Sequence, residues 1–346
     1  MSDYDFQLEW HLGDDYGEWG SQPRGPLVHF DMAHQGELMD SVIGVDPATG
    51  KDRVYHVVRC EICILTHLWP LPSQASLDSF YETLFYEQEK PDMIAHYEQD
   101  RAWWMACVHG PILETCAQAL GAADDAPPSI LDVGAGPGLL LRTAQARGWR
   151  TTAIEPSLLC ATRLAEQGHT VWNGTLWDYV ASVRDAHERY DVVTLYETLE
   201  HMSNPEEALL QVYDLLRPGG VVAVVVPNDW SPLQLAACKK LGLPHYWISA
   251  PAHVSYFTAK TAQLMLRRTG FDIIDCRGTY PLEQFLLDGR NYVGHDDIGR
   301  NCHTERMAWE LTAVQEGRWP IVEEQYRTSM VHRIGRELVM IGRRHA

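Results

Sequence analysis

Hydrophobic positions keep one rhythm through the second half of this chain. From residue 129 onward, short apolar and β-branched runs alternate with stretches of helical spacing. The alternation predicts strands at 130–134, 151–155, 170–173, 191–195, 221–226, 272–278 and 336–343. Helices are expected at 138–147, 157–167, 205–216 and 259–269. Val221-Val222-Ala223-Val224-Val225-Val226 has no polar position, as a strand covered on both faces requires. Strand–helix alternation of this kind builds a parallel, doubly wound sheet, so the predicted fold class is α/β with a mostly parallel seven-stranded sheet.

The pattern differs elsewhere. Residues 1–26 show no period and read as a tail or arm, and 27–75 are β-rich through Val54-Tyr55-His56-Val57-Val58-Arg59. Residues 76–120 read as a helical cap, with Tyr81, Leu84, Phe85, Tyr97, Trp103, Trp104, Val108, Ile112 and Leu113 as its expected core. Small residues and prolines at 121–128 make a linker, and the sheet domain is placed at 129–346. Pro227 to Thr258 reads as an extended connection over the ligand face, and 281–330 as an insertion before the last strand.

One turn carries the chemistry. The first strand runs into Gly134-Ala135-Gly136-Pro137-Gly138 and then an apolar helix. Such a turn aims backbone N–H groups at a ligand, and glycine is needed where a Cβ would block close approach or positive φ. The dinucleotide fingerprint wants its third glycine one position later, where Leu139 stands. The second strand ends at Glu155, about 20 residues past the first glycine, where an acid can hold ribose hydroxyls.

The G-x-G-x-G form with this spaced acid resembles motif I of the class I S-adenosylmethionine-dependent methyltransferases, and Leu216-Arg217-Pro218-Gly219-Gly220 resembles a further signature of that family. The resemblance implies a Rossmann-like core and S-adenosylmethionine as cofactor. Asp132, Gly134, Ala135, Gly136, Gly138, Glu155 and Tyr196 are the expected contacts, with Arg101 toward the methionine carboxylate.

After the fourth strand comes Tyr196-Glu197-Thr198-Leu199-Glu200-His201, in which Glu197, Glu200 and His201 would share one face of a helical turn. This E-x-x-E-H pattern resembles the ubiquinone-biosynthesis O-methyltransferases, whose equivalents are associated with a divalent metal such as Mg²⁺. Three readings stand: a metal trio, a metal-free base at His201 supported by Glu200, or a purely structural loop. His253, in His253-Val254-Ser255-Tyr256-Phe257, is a second candidate catalytic group.

Cys60-Glu61-Ile62-Cys63 follows the β-rich run. The pair can begin a zinc site, completed from His29, His34 or His67; it can also be two small buried residues or a redox pair. With Leu68-Trp69-Pro70-Leu71-Pro72 it resembles the zinc-knuckle region of some bacterial small-molecule and sugar methyltransferases.

Charge narrows the partner class. Forty-seven acids against 28 Lys and Arg leave a net charge of −19, a surface that repels phosphate backbones, so no nucleic-acid substrate is expected. No apolar run approaches the roughly 18 residues of a membrane span, and Met1–Asp5 lacks the basic and apolar regions of a signal peptide. Eight dispersed cysteines suit a reducing compartment. The expectation is a cytoplasmic O-methyltransferase acting on a small molecule, with a homo-oligomer left open. The rivals are C- or N-methylation of a sugar or natural-product intermediate, an NAD(P)-dependent oxidoreductase, and a non-catalytic binding protein of methyltransferase shape.

Overall fold

The computed structural model describes residues 27–29, 35–83, 85–86, 90–121, 126–183 and 189–345. Leu84 and the tail with Trp10 and Trp19 lie outside them. Two sheets organise the chain. In the first, β1 (Leu27–His29), β2 (Gln35–Val45), β3 (Asp52–Cys60) and β4 (Thr66–Trp69) form an antiparallel meander. The second has seven strands: β5 (Ser129–Val133), β6 (Arg150–Glu155), β7 (Thr170–Asn173), β8 (Tyr190–Tyr196), β9 (Leu216–Pro227), β11 (Phe271–Gly278) and β12 (Glu337–Arg344). Between them in sequence, the short β10 (Ser255–Tyr256) joins the edge of the first sheet beside β4.

Strand order in the large sheet is β11-β12-β9-β8-β5-β6-β7, and only β12 runs against its neighbours. Side chains alternate across it, as the pleat dictates. Leu131, Val193, Val222 and Val224 enter one core, while Ile130, Val192, Val221 and Ala223 enter the other. The helices Pro205–Leu215 and Ala259–Arg268 cover the first face, and Leu139–Gln145 covers the second. This two-sided burial is why β9 is apolar at every central position.

Three elements depart from the sequence expectations. Pro227 to Thr258 is not an extended connection: it contains the helix Pro232–Leu241, opened by a Ser231–Gln234 capping box with Pro232 in its first turn. Leu216-Arg217-Pro218-Gly219-Gly220 lies within β9 instead of forming a turn ahead of it, because Leu216 already pairs with Tyr190. The layered core also begins before residue 129. Helix Gly110–Leu120 packs Ile112, Leu113 and Cys116 against Ile130 and Val221.

The insertion at 281–330 is helical, with Glu283–Leu287, Asp296–Gln315 and Trp319–Val331. It packs on the segment Arg101–His109. Arg300 holds the buried Asp100 through two bonds of 2.5 and 2.8 Å, and Trp103 donates to Glu310 at 2.5 Å. Among the described residues no helix is long and apolar enough to cross a membrane.

Candidate active site

A cavity of about 500 Å³ opens where β5 and β8 lie side by side and their connections diverge. That switch point is where open α/β sheets take ligands. One end is built from local sequence. Val133 leads into Gly134 and Gly136, both at positive φ (73° and 51°). A Cβ on Gly134 would stand 2.8 Å from Thr198, and one on Gly136 would stand 2.8 Å from the Tyr86 hydroxyl. The turn is therefore bare because its surroundings leave no room for side chains.

Glu155, at the end of β6, is buried in the cavity wall. The Gly136 and Ser157 N–H groups donate to its two oxygens at 2.7 and 2.8 Å. A carboxylate has about four acceptor positions, so two remain for hydroxyl donors. Burial raises its pKa to about 7 against the lowering effect of those two N–H bonds. Asp132 lines the same end and is likewise raised by burial to about 7, while accepting from the Thr194 hydroxyl at 2.6 Å.

Ala135 and Tyr196 line the cavity as expected. Gly138 does not. It faces the helix Leu158–Glu166, where a Cβ would meet Leu164 at 2.5 Å, so it serves helix packing. Arg101 is also displaced from its expected place: it is exposed, pairs with Glu98 at 3.7 Å and does not line the cavity.

The other end is assembled from distant segments. His201 Nδ1 lies 2.7 Å from the Ala252 carbonyl and 2.7 Å from the Tyr81 hydroxyl, which itself reaches Ala252 at 3.1 Å. A carbonyl only accepts, so Nδ1 carries the proton and Nε2 keeps the lone pair. Burial lowers His201 to about 4, which leaves it neutral at pH 7. His253 packs edge-on against it at 4.9 Å and is held well below the usual histidine range by burial and by His201.

Glu197, Glu200 and His201 do not share a helical face. Glu197 sits at φ 49° ahead of the short 3₁₀ turn Leu199–His201, and this breaks the i, i+3, i+4 register. The donor atoms that do converge are those of Glu200, His201 and His253, within 4.8 Å of one another. Glu197 instead meets Glu337 of β12; burial and that second carboxyl raise its pKa.

Among the cavity residues that the sequence did not mark as functional are Tyr81, read only as cap core, and His109, Arg336 and Glu337. His109 ends a π-helical stretch, Trp104–His109, and stacks on Trp104 at 5.4 Å. Such stretches recur at functional sites, but their hydrogen-bond shift leaves no residue signature.

Away from the cavity, Cys60 and Cys63 converge with His67 of β4, their donor atoms within 4.8 Å of one another. The Cys63 N–H donates to Cys60 Sγ at 3.4 Å, and Ile64 turns the knuckle at φ 65°. Of the other expected ligands, the His29 side chain and all of His34 lie outside the described residues.

Sheet order, glycine turn and buried acid define an α/β protein with a nucleoside-cofactor site. Residues 110–275 match a family model described as a methyltransferase domain. The ubiquinone biosynthesis O-methyltransferase of Shewanella halifaxensis is 35% identical over 100 residues, which cover 27% of this chain and 41% of that protein. The Rickettsia canadensis protein of the same name is 25% identical over 210 residues, 56% of this chain and 85% of that one. The chain thus spans less than half the length of the first relative. Among solved structures, a SAM-dependent methyltransferase from Archaeoglobus fulgidus aligns at TM-score 0.45 and 16% identity, covering 68% of this chain and 93% of that one. The Burkholderia thailandensis 1,6-didemethyltoxoflavin-N1-methyltransferase, solved with S-adenosylhomocysteine, aligns at 0.43 and 14%, covering 93% and 100%. Residues 110–275 are thus similar to a methyltransferase domain.

Proposed function

We propose that this protein transfers a methyl group from S-adenosylmethionine to an oxygen of a small-molecule acceptor. The observation that carries the reading is one cavity with a bare glycine turn and buried Glu155 at one end and a neutral, oriented imidazole at the other. The residues fit the cofactor. Glu155 offers two acceptor positions to the ribose hydroxyls, and Gly134, Ala135 and Gly136 admit its amino-acid arm against the backbone. When bound, the sulfonium supplies an already electrophilic methyl group.

The chain's own residues then have two tasks. Walls from Tyr81, Tyr196 and Trp247 hold the acceptor in line and exclude water, and such positioning supplies most of the barrier reduction. His201 Nε2, its tautomer fixed through Nδ1 by Ala252 and Tyr81, takes the acceptor proton. Glu200, 1% exposed, orients the same turn through its carbonyl, which accepts from Val254 at 2.9 Å. His253 stands against the His201 ring as a relay for that proton.

A second reading of this end is favoured by the convergence of Glu200, His201 and His253, a donor set that suits a divalent ion able to lower the acceptor's pKa. Chelation separates the two: the base reading predicts unchanged turnover, the metal reading predicts loss restored by Mg²⁺ or Mn²⁺. At the knuckle, two thiols and an imidazole form a borderline-soft donor set, and we propose that it holds a structural zinc with a fourth ligand from elsewhere. The negative charge balance favours a small-molecule acceptor over nucleic acid, in a cytoplasmic setting.

Calorimetric titration with S-adenosylmethionine, S-adenosylhomocysteine and NADH tests the whole reading. Binding of the first two with no heat from NADH is the expected result. NADH binding would make the protein an oxidoreductase, and formation of no S-adenosylhomocysteine with any acceptor would leave a binding protein.

A further inference from the structure

The end of the cavity away from Glu155 is walled by acids. Six carboxyl side chains line the cavity as a whole, from Asp78, Asp132, Glu155, Glu197, Glu200 and Glu337, against two bases, Lys90 and Arg336. Lys90 is exposed. Arg336 donates to Glu283, a fully buried carboxylate, at 3.1 Å, so its charge is already matched. Arg306 also acts on Glu197 and Glu337, but it is already paired with Glu310 at 3.3 Å, as Arg336 is with Glu283.

Two further observations point to a ligand. Glu200 is 1% exposed, and its Oε2 has no hydrogen-bond partner among the described residues. A buried oxygen left so is costly, more so if charged, unless something occupies the space before it. Glu197 and Glu337 lie side chain to side chain, an arrangement that needs a shared proton, with Glu197 held at positive φ. Around them stand Tyr81, Tyr97, Tyr196, Tyr246 and Trp247. Carboxylates set among aromatic faces are the environment that holds an ammonium group.

Resting on the methyl-transfer reading above, we propose that the acceptor carries a protonated amine, seated by Glu197, Glu200 and Glu337, while its methyl-accepting group faces the glycine turn. The cation takes the place of the proton shared by Glu197 and Glu337, which leaves to solvent as the amine enters.

The test uses three phenols of similar size, titrated calorimetrically into the full chain saturated with S-adenosylhomocysteine: tyramine, 4-ethylphenol and 3-(4-hydroxyphenyl)propionate. Tyramine should bind at least about tenfold more tightly than either of the others. Glu337→Gln should reduce that preference to below about threefold while keeping its S-adenosylhomocysteine affinity and melting temperature. Should Glu337→Gln not fold, Glu197→Gln gives the same readout from the other side of the pair. Equal binding of the three, preference for the propionate, no binding by any, or an unchanged preference in the folded variants overturns the proposal. Failure of wild-type protein to bind S-adenosylhomocysteine would instead overturn the methyltransferase reading.

Discussion

The two ends of the cavity are built on different terms. The glycine turn and Glu155 lie within 22 residues of one another, on adjacent parallel strands whose register places Glu155 beside the turn. The acceptor end takes Tyr81 from the helix Gln74–Thr83, His201 from the 3₁₀ turn after β8, Ala252 and His253 from the connection to β10, and Glu337 from β12. Backbone bonds tie these pieces together: Val254 N–H donates to Glu200, and Leu68 N–H of β4 donates to Val254. The first end is a property of one supersecondary unit, the second of the whole fold. Changes at the first should therefore alter cofactor affinity alone, and changes at the second should alter turnover and acceptor binding.

The largest effect is expected at His201. His201→Ala should lower S-adenosylhomocysteine formation about 10²–10⁴-fold, measured with any acceptor that supports turnover. Wild-type loss of turnover on chelation would move the comparison toward a metal at the same end. Tyr81→Phe removes one of the two groups that fix the His201 tautomer but leaves Ala252 in place. A smaller loss, roughly tenfold in kcat with KM for cofactor unchanged, is expected in steady-state kinetics.

How far each end can be read from sequence follows from the same contrast. Ile130 to Val133, the glycine turn and Glu155 are consecutive or evenly spaced, so strand, turn and acid are visible without tertiary knowledge. The central strands were equally legible, since burial on both faces writes itself as apolar runs, as in β5 and β9. Tyr81 and Glu337 carry no local pattern. Their roles arise from contacts over 120 residues or more, such as the bond between Tyr81 and His201. Ser231-Pro232-Leu233-Gln234 did carry a helix-start signal, but the Trp, His and Pro residues around it masked the signal. Arg101 shows the opposite error. It was placed toward the cofactor, but its side chain pairs with Glu98 and is exposed.

pH distinguishes Glu155 from His201. Ribose hydroxyls donate to the ionised form of Glu155, and burial places that ionisation at about 7. Affinity for S-adenosylhomocysteine should thus fall as pH drops below about 7, by at most tenfold per unit, and level off above it. His201, lowered to about 4, is already deprotonated across that range, so its ionisation should add no inflection to turnover between pH 5 and 8. Calorimetry and pH–rate profiles over that interval check both.

The smallest effect is expected at the knuckle, which touches neither end directly. Cys60→Ser should abolish about one equivalent of zinc, read by elemental analysis of untagged protein, and lower the melting temperature. Cofactor affinity should stay within about twofold. Wild-type protein free of zinc would leave Cys60 and Cys63 as ordinary buried residues.

The separation of the two ends is tested most directly by measuring the S-adenosylhomocysteine dissociation constant of Glu155→Gln and His201→Ala side by side at pH 8. Loss of the charged acceptor at Glu155, worth about 1.5–3 kcal/mol, should weaken binding roughly 10- to 150-fold. His201→Ala should bind within about twofold of wild type. Equal weakening of both variants, or full affinity in Glu155→Gln, would contradict the assignment of the cofactor to the glycine-turn end of the cavity.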